Sequence, residues 1–281
     1  FGFDCRSTED YRGSDEVFYR HRSRRILSEK VKGDFKIKAL ILAAGYATRL
    51  YPLTKEFPKP LLKIKDRPII DYIIAKLNAI TAIDGIFIVT NNKFIGQFQR
   101  WKKSVRFNKR IVLVNDLTKS NSDRLGAIGD INFVIEHKQV NDDLLVIGGD
   151  NLFSANLKLF LSFGYRHKPG STIGVYKLGR VKDAAKYGVV KLNRSKQVIE
   201  FAEKPRRPKS NLVAMCLYYI PKEHLGLVKD YMKLRQKKVD ATGKYIDWLK
   251  GKINTYGFIF QGRWYDVGDH KYLKQAKENF A

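Results

Sequence analysis

The sequence predicts a doubly wound α/β fold, a mostly parallel sheet flanked by helices, with a smaller mixed-sheet insertion. Three observations carry that expectation. Short apolar runs of strand length alternate with longer stretches whose apolar residues recur at helical spacing, from residue 37 to about residue 165. Two of these runs end in small residues, at Gly45 and at Gly148 and Gly149, as strands do where they deliver the chain to a ligand crevice. Beyond residue 170 the helical stripes give way to short segments rich in β-branched and aromatic residues with polar turns between them.

Residues 1–36 stand apart from the rest. Aromatic and charged residues alternate there without either period, and residues 20–25 read ArgHisArgSerArgArg. An appended arm, a cloning remnant and the end of a larger upstream piece all fit this stretch, and its spacing is compatible with a short helix over residues 16–31. Residues 37–281 are expected to form one domain. Its first strand is the apolar run 37–44, broken only by Lys38 and therefore expected to be buried on both faces. A short apolar piece follows at 61–64. Pro68 suits a first helical position, and Ile69, Ile70, Ile73, Ile74, Leu77 and Ile80 form a helical stripe behind it. Gly85 ends that turn and residues 86–90 are the second strand. Phe94, Ile95, Phe98 and Trp101 mark the next helix, residues 111–115 the third strand, and Ile128, Ile131, Val134 and Ile135 another helix. The fourth strand, 144–147, leads to Asp150, and a helix is expected over 155–165. The insertion comprises 171–178, 188–193, 198–203 and 212–220, with a loop at Pro205, Arg206, Arg207 and Pro208. Pro221 opens a helix carrying Leu225, Val228 and Tyr231, Ile246 and Trp248 mark a second, 253–260 is a late strand, and Asp269 caps a closing helix from His270.

The chemistry concentrates at residues 40–60. A turn of Gly45, Ala47 and Thr48 brings backbone N–H groups close to a ligand without bulky side chains in the way, which favours an anion. Arg49, Lys55 and Lys59 add charges suited to a polyphosphate, and Pro52, Pro58 and Pro60 stiffen the loop. Asp150 follows two glycines at a strand end, where backbone and ligand can approach closely, and Asp266 in TrpTyrAspValGly is the second candidate metal ligand. In a parallel sheet Gly45 and Asp150 both lie at carboxyl ends, so the phosphate loop and the carboxylate should face one crevice.

Composition narrows the remaining classes. A chain of 281 residues can bury a sizeable core. No apolar run approaches a membrane span and the first residues are too charged for a signal peptide, so a cytoplasmic protein is expected. Cys5 and Cys216 have no metal or redox spacing, and Cys216 lies within an apolar run; the five histidines form no ligand pattern. The net charge of +26 would draw phosphorylated substrates or nucleic acid over long range. The lysines are spread along the whole chain with no nucleic-acid module, so no specific nucleic-acid binding is expected.

The stretch LILAAGYATRLYPLTKEFPKP resembles the signature of nucleotidyltransferases that couple a nucleoside triphosphate to a sugar 1-phosphate or a phosphorylated alcohol, the thymidylyl-, uridylyl- and cytidylyltransferase group. The family pattern is a strand, Gly-x-Gly-Thr-Arg-Leu, Pro-Leu-Thr and Pro-Lys-Pro; only its second glycine is replaced here, by Ala47. Further family elements follow in order through residue 281: Gly-Asp-Asn at Asp150, Tyr-Gly at Tyr187 and Gly188, Glu-Lys-Pro at Glu203 and Lys204, and Trp-x-Asp-x-Gly at Asp266. The resemblance implies a Rossmann-like domain acting in sugar-nucleotide synthesis, with Mg²⁺ held by Asp150 and Asp266. It implies a nucleotide site of Ala43, Ala44, Gly45, Tyr46, Ala47, Thr48 and Gly126. It also implies acceptor contacts from Tyr187, Gly188 and Glu203, and catalytic cations at Arg49, Lys59 and Lys204. The partners implied are an NTP, a phosphorylated small-molecule acceptor and, since many relatives are oligomers, further copies of the chain.

Departures bear on the substrate. Asp123 and Arg124 replace small residues in the segment that contacts the base in sugar enzymes, and Met215 and Cys216 stand where a glycine usually precedes Leu-Tyr or Ile-Tyr in the acceptor pocket. The run Thr90, Asn91, Asn92 is similar to cytidylyltransferases acting on phosphocholine-like acceptors. The sequence thus leaves two alternatives beside a sugar enzyme, a phosphocholine-type cytidylyltransferase and a catalytically silent regulatory homologue.

Overall fold

The computed structural model describes residues 36–234 and 242–280. The expected arm, residues 1–36, with its helix over 16–31, lies outside the described residues except for its last position.

Four parallel strands make the centre of the fold: β1 (Ile37–Leu42), β4 (Ile83–Thr90), β5 (Arg110–Asn115) and β6 (Asp143–Gly148), in the spatial order β6-β1-β4-β5. Alternation along them explains the apolar runs. Leu40, Leu144 and Val146 face one side, Ile41, Leu145 and Ile147 the other, and all are fully buried. On the first side α3 (Ala127–His137), α5 (Gly226–Leu234) and α6 (Thr242–Leu249) pack together through Ile128, Ile131, Val134, Val228, Tyr231 and Ile246. The expected stripe Ile69, Ile70, Ile73, Ile74 and Leu77 is the buried face of α1 (Ile69–Asn78), while Phe98 and Trp101 are buried on α2 (Ile95–Ser104). Pro68 is the residue before α1 rather than its first residue. It closes a small hairpin of β2 (Lys63–Ile64) and β3 (Arg67–Pro68), and Ile69 N–H donates to Leu62 O at 3.0 Å.

The segments expected as an insertion are strands of mixed direction, as expected, and they extend the same sheet. β11 (Leu212–Ile220) runs antiparallel to β6 and carries β9 (Gly188–Leu192) and β10 (Val198–Glu203) beyond it, giving the order β10-β9-β11-β6-β1-β4-β5. β8 (Ser171–Lys177) pairs with β11 and, in parallel, with β12 (Thr255–Phe260), for nine strands in all. One buried carboxylate stitches the junction at the amino end of β6. Asp143 accepts from Tyr219 Oη, from Lys168 Nζ at 3.1 Å and from Lys222 N at 2.9 Å. Between β6 and β8 lie β7 (Asn151–Phe153) and α4 (Leu157–Arg166), the latter capped by the Asn156 side chain, which accepts from Lys158 N at 2.9 Å. β13 (Trp264–Asp266) pairs antiparallel with β7, and α7 (His270–Asn279) closes the chain, capped by Asp269 accepting from Tyr272 N at 3.0 Å. Among the described residues no helix is long and apolar enough to cross a membrane.

Candidate active site

β1 delivers the chain into residues 43–50 at the carboxyl edge of the sheet. The loop is held from beneath by β4: Thr90 Oγ1 donates to Ala43 O at 3.3 Å and Asn91 Nδ2 to Ala44 O at 2.8 Å. Ala47 adopts the left-handed conformation (φ 48°), where the family pattern has its second glycine, and Thr54 Oγ1, wholly buried, donates to Ala47 O at 2.8 Å. Carbonyls of the loop are thus committed inward. Among the described residues the N–H groups of Gly45, Tyr46, Ala47 and Thr48 meet no acceptor, and the space over Gly45 is open. That is the local arrangement an anion needs. Tyr46 is buried against Phe94 with its hydroxyl 3.5 Å from Thr118 Oγ1, so it anchors the loop sideways.

Asp150 stands between β6 and β7, and the two glycines before it are required by contact. A side chain at Gly149 would meet Leu42 O at 2.7 Å and Pro60 Cγ at 3.0 Å, and one at Gly148 would meet Asp150 Oδ1 at 2.9 Å and Cys216 Cβ at 3.0 Å. Lys59, on a 3₁₀ turn behind Pro58, donates to Asp150 Oδ2. The β7–β13 ribbon then brings the C-terminal motif home. Asp266 pairs in register with Asn151, the residue after Asp150, and Val267 N–H donates to Asp150 O at 3.3 Å. Trp264 Nε1 donates to Asn151 Oδ1 at 2.7 Å and Asn151 Nδ2 to Cys216 O at 3.0 Å, which locks ribbon to sheet.

The charges of Asp150, Lys59 and Arg49 all act on Asp266. Burial pushes the Asp266 carboxyl up to about 6, the Asp150 carboxylate adds to the rise, and Lys59 and Arg49 pull against it. Arg49 lies beside Gly268, near enough that a side chain there would stand 3.4 Å from Nη2, and it makes no ion pair among the described residues. Lys55 is exposed on the following turn, outside this group. Cys216 lies below Asp150, its thiol pushed up to about 12 by burial and then by the Asp150 charge, while the neighbouring Met215 is wholly buried.

On the other flank Tyr187, Gly188, Glu203 and Lys204 come together. Lys204 N–H donates to Tyr187 O at 3.0 Å and Glu203 pairs with Gly188 across β9 and β10. The Glu203 carboxyl group fits a slot between Gly188 and Gly243 of α6: a side chain built on Gly243 would stand 2.9 Å from Glu203 Cδ and 2.6 Å from Phe201 Cε1. Lys204 is backbone-strained (φ 45°) and largely exposed, with its ammonium 3.8 Å from Glu203 Oε1; it does not reach the Lys59 and Asp150 pair. Tyr187 packs on Trp264, ring centroids 5.4 Å apart; burial, a hydrogen bond with Tyr272 and the Asp266 charge hold its phenol well above the usual range.

Gly126 precedes α3 with φ 79°, a conformation that favours glycine. The departing residue Asp123 stabilises the preceding turn by accepting from Lys119 N at 2.9 Å and Ser120 N at 2.7 Å, so its role there is local, and those hydrogen bonds hold its carboxyl near 2. The Thr90, Asn91 run has a local role too, since both side chains brace the phosphate loop. Sequence reasoning missed Thr54, Asn91 and Gly243. Asn91 stood in a motif already singled out, whereas nothing near Gly243 in the sequence marks it as facing Glu203.

A loop with open N–H groups and a pair of carboxylates at the carboxyl edge of a parallel sheet mark the candidate site of an α/β protein. The chain belongs to the nucleotidyl transferase family, whose model matches residues 38–281. It is 30% identical over 231 residues to the bifunctional protein GlmU of Methanocaldococcus jannaschii, covering 82% of this chain and 51% of that protein. To the glucose-1-phosphate thymidylyltransferase of Neisseria meningitidis it is 26% identical, covering 85% of this chain and 81% of that one. The chain spans about half to two-thirds of the length of the first curated relatives it matches, 51% of the Methanocaldococcus protein and 64% of a Fusobacterium nucleatum glucose-1-phosphate adenylyltransferase. The fold matches that of UDP-glucose pyrophosphorylase complexed with UDP-glucose at a TM-score of 0.72 and 21% identity, over 88% of this chain and 98% of that structure.

Proposed function

We propose that residues 37–281 form a Mg²⁺-dependent nucleotidyltransferase domain, residues 1–36 being an appended segment, that transfers NMP from an NTP to a sugar 1-phosphate or similar phosphorylated acceptor. The observation that carries this reading is the meeting of Asp150, in the turn just before β7, with Asp266 on the paired strand β13, and with Lys59 and Arg49 beside the open N–H groups of the loop. The family and the relatives named above support the same chemistry.

The donor set suits magnesium. Among the described residues no three His, Cys, Asp or Glu side chains converge into a cage, but Mg²⁺ is commonly held by one or two carboxylates with substrate phosphates completing its shell. Burial first, and then the neighbouring Asp150 charge, raise Asp266, and a divalent cation would offset both by favouring its charged form. Asp150 and Asp266 would hold it, and bound there it would offset negative charge on the substrate phosphates.

The acceptor's phosphate oxygen attacks the α-phosphorus of the NTP; the bond from that phosphorus to the bridging oxygen of the β-phosphate breaks, and pyrophosphate leaves. A phosphate monoester, with a second pKa of about 6, is already a dianion at neutral pH, so no side chain need remove a proton. The work of the chain is placement and charge. The N–H groups of Gly45 to Thr48, with Ala43 and Ala44 beneath and Gly126 flanking, receive the nucleotide. Arg49 holds the departing β- and γ-phosphates. Lys59 balances charge at the reacting phosphorus, alternating between Asp150 and phosphate oxygen. Lys204, free to swing on its exposed turn, takes the acceptor's phosphate, and Glu203, Tyr187 and Gly188 orient its hydroxyls and ring.

The test is pyrophosphate release from each NTP offered with a panel of sugar 1-phosphates and phosphocholine. Release with at least one pairing is expected; none with any pairing refutes the proposal.

A further inference from the structure

A cavity of about 300 Å³ opens beside Tyr187 and Trp264, and the proposed reaction leaves most of its wall without a task. Asp266, half-buried, is one lining residue. Arg180, with Asp183 and Lys186 of the turn Val181–Lys186, and Lys271 and Tyr272 of α7 line it as well, both lysines being exposed. The charges in that wall do not cancel. Arg180 is satisfied, donating from Nε and Nη2 to the two oxygens of Asp183 at 2.8 and 3.1 Å. Lys186 and Lys271 line the cavity without an ion pair among the described residues; the Lys186 charge reaches Asp183, which Arg180 already holds, and Lys186 Nζ lies 5.3 Å from the centroid of the Tyr272 ring. The one other acid on the wall, Asp266, belongs to the carboxylate pair. The aromatic surface of Tyr187 and Trp264, tilted at 52°, lines the cavity too. An aromatic surface with two exposed ammonium groups outside any ion pair, and the half-buried Asp266 among the other lining residues, fits a ring that carries an anion on the side away from the reacting centre.

We propose that this cavity is a second anion subsite, so that the acceptor carries, besides the phosphate that attacks, a second anionic group, a carboxylate or a phosphate, held by Lys186 and Lys271. The assignment rests on the nucleotidyl-transfer reading above. It selects, among phosphorylated acceptors, those bearing charge at both ends.

The experiment compares KM for a hexose 1-phosphate, the corresponding hexose 1,6-bisphosphate and the hexuronate 1-phosphate, in the parent chain and in the double variant Lys186→Ala, Lys271→Ala. Two partly exposed ion contacts together correspond to roughly a tenfold preference. The doubly anionic acceptors should show KM about tenfold lower in the parent, and the double variant should erase most of that advantage while kcat and the KM for hexose 1-phosphate stay put. Equal KM values in the parent, or an equal loss for all three acceptors in the variant, would overturn the proposal. A hexose 6-phosphate should compete with the acceptor in the parent and not in the variant; a noncompetitive effect on turnover would make the cavity an effector site and overturn the acceptor assignment. Should no acceptor turn over at all, the nucleotidyl-transfer reading fails. Calorimetric binding of hexose 1,6-bisphosphate still decides the subsite: binding lost in the double variant supports it, and binding unchanged or absent in the parent overturns it.

Discussion

Replacing Gly243 with alanine presses directly on Glu203, and the structure sets the size of the effect. The added Cβ would stand 2.6 Å from Phe201 Cε1 and 2.9 Å from Glu203 Cδ. Carbon atoms rest about 3.5–4.0 Å apart, so something must yield by about 1 Å. Phe201 has little freedom, because Gly188 already approaches it from the other side, a Cβ there falling 3.0 Å from the same ring atom. Glu203 and the first turn of α6 must therefore move. Overpacking of this kind costs about 1–3 kcal/mol, and the better helix propensity of alanine returns at most about 1, leaving a net loss of about 1–2 kcal/mol. In solution this is read as a lower urea midpoint with an unchanged slope. If Glu203 orients the acceptor, a shift near 1 Å should raise the acceptor KM by at least roughly tenfold while the NTP KM holds. Adding Glu203→Asp, which withdraws the carboxyl group by one methylene, should restore much of the lost stability but not the acceptor KM. Unaltered stability in Gly243→Ala, or no rescue by the shorter acid, would refute the slot as described.

Further expectations follow from other parts of the molecule. Burial raises the Asp116 carboxyl above its ordinary 3.8, and Asp116 shares a hydrogen bond with Asp130, so the folded chain retains a proton there that the unfolded chain releases. The stability it contributes is fully present below the unfolded value and fades as pH climbs through the raised one; Asp116→Asn should show a smaller fall in urea midpoint than the parent as pH is taken from below 3.8 up to neutrality, and equal falls would contradict the shared proton. Leu117 holds φ 69° while 65% exposed, pinned by Asn115 Oδ1, which accepts its N–H at 2.9 Å. Relieving that strain in Leu117→Gly should leave stability equal or raise it by up to about 1 kcal/mol, and a loss in thermal unfolding would count against strain at this residue. Asp143→Ala removes the acceptor shared by Tyr219, Lys168 and Lys222, and should cost about 2–3 kcal/mol in chemical denaturation because the phenol and ammonium are left without it; a loss below about 0.5 would show the stitch to be dispensable.

The parts of this molecule that were legible in the sequence are those where local pattern and chemistry coincide. The run into Gly45 reads as a buried strand and a ligand loop at once, and Asp150 after two glycines places itself at a strand end because that period leaves no other position for it. Ile69, Ile73 and Leu77 announce a helix face without reference to any other segment. What the sequence concealed depends on partners far along the chain. That β11 would dock on β6, making the expected insertion an extension of the central sheet, follows from a pairing of Leu217 with Ile147 that no local period encodes. Gly243 is a glycine because Glu203 and Phe201 arrive from another strand. Asn91 resembles part of a substrate motif, yet its amide is spent on Ala44 O. Lys204 matched its motif by order alone, and it stands largely exposed with its ammonium 3.8 Å from Glu203 Oε1.

The claim on which the account stands is that Asp150 and Asp266 act as one cation site. Manganese binding followed by electron paramagnetic resonance, with a nonhydrolysable NTP present, tests it in the parent, Asp150→Asn and Asp266→Asn chains. Each substitution alone should weaken binding by at least roughly tenfold, as loss of even an outer partner of a metal site commonly does, with folding intact by circular dichroism. A folded variant of either residue that binds manganese as the parent does would contradict it.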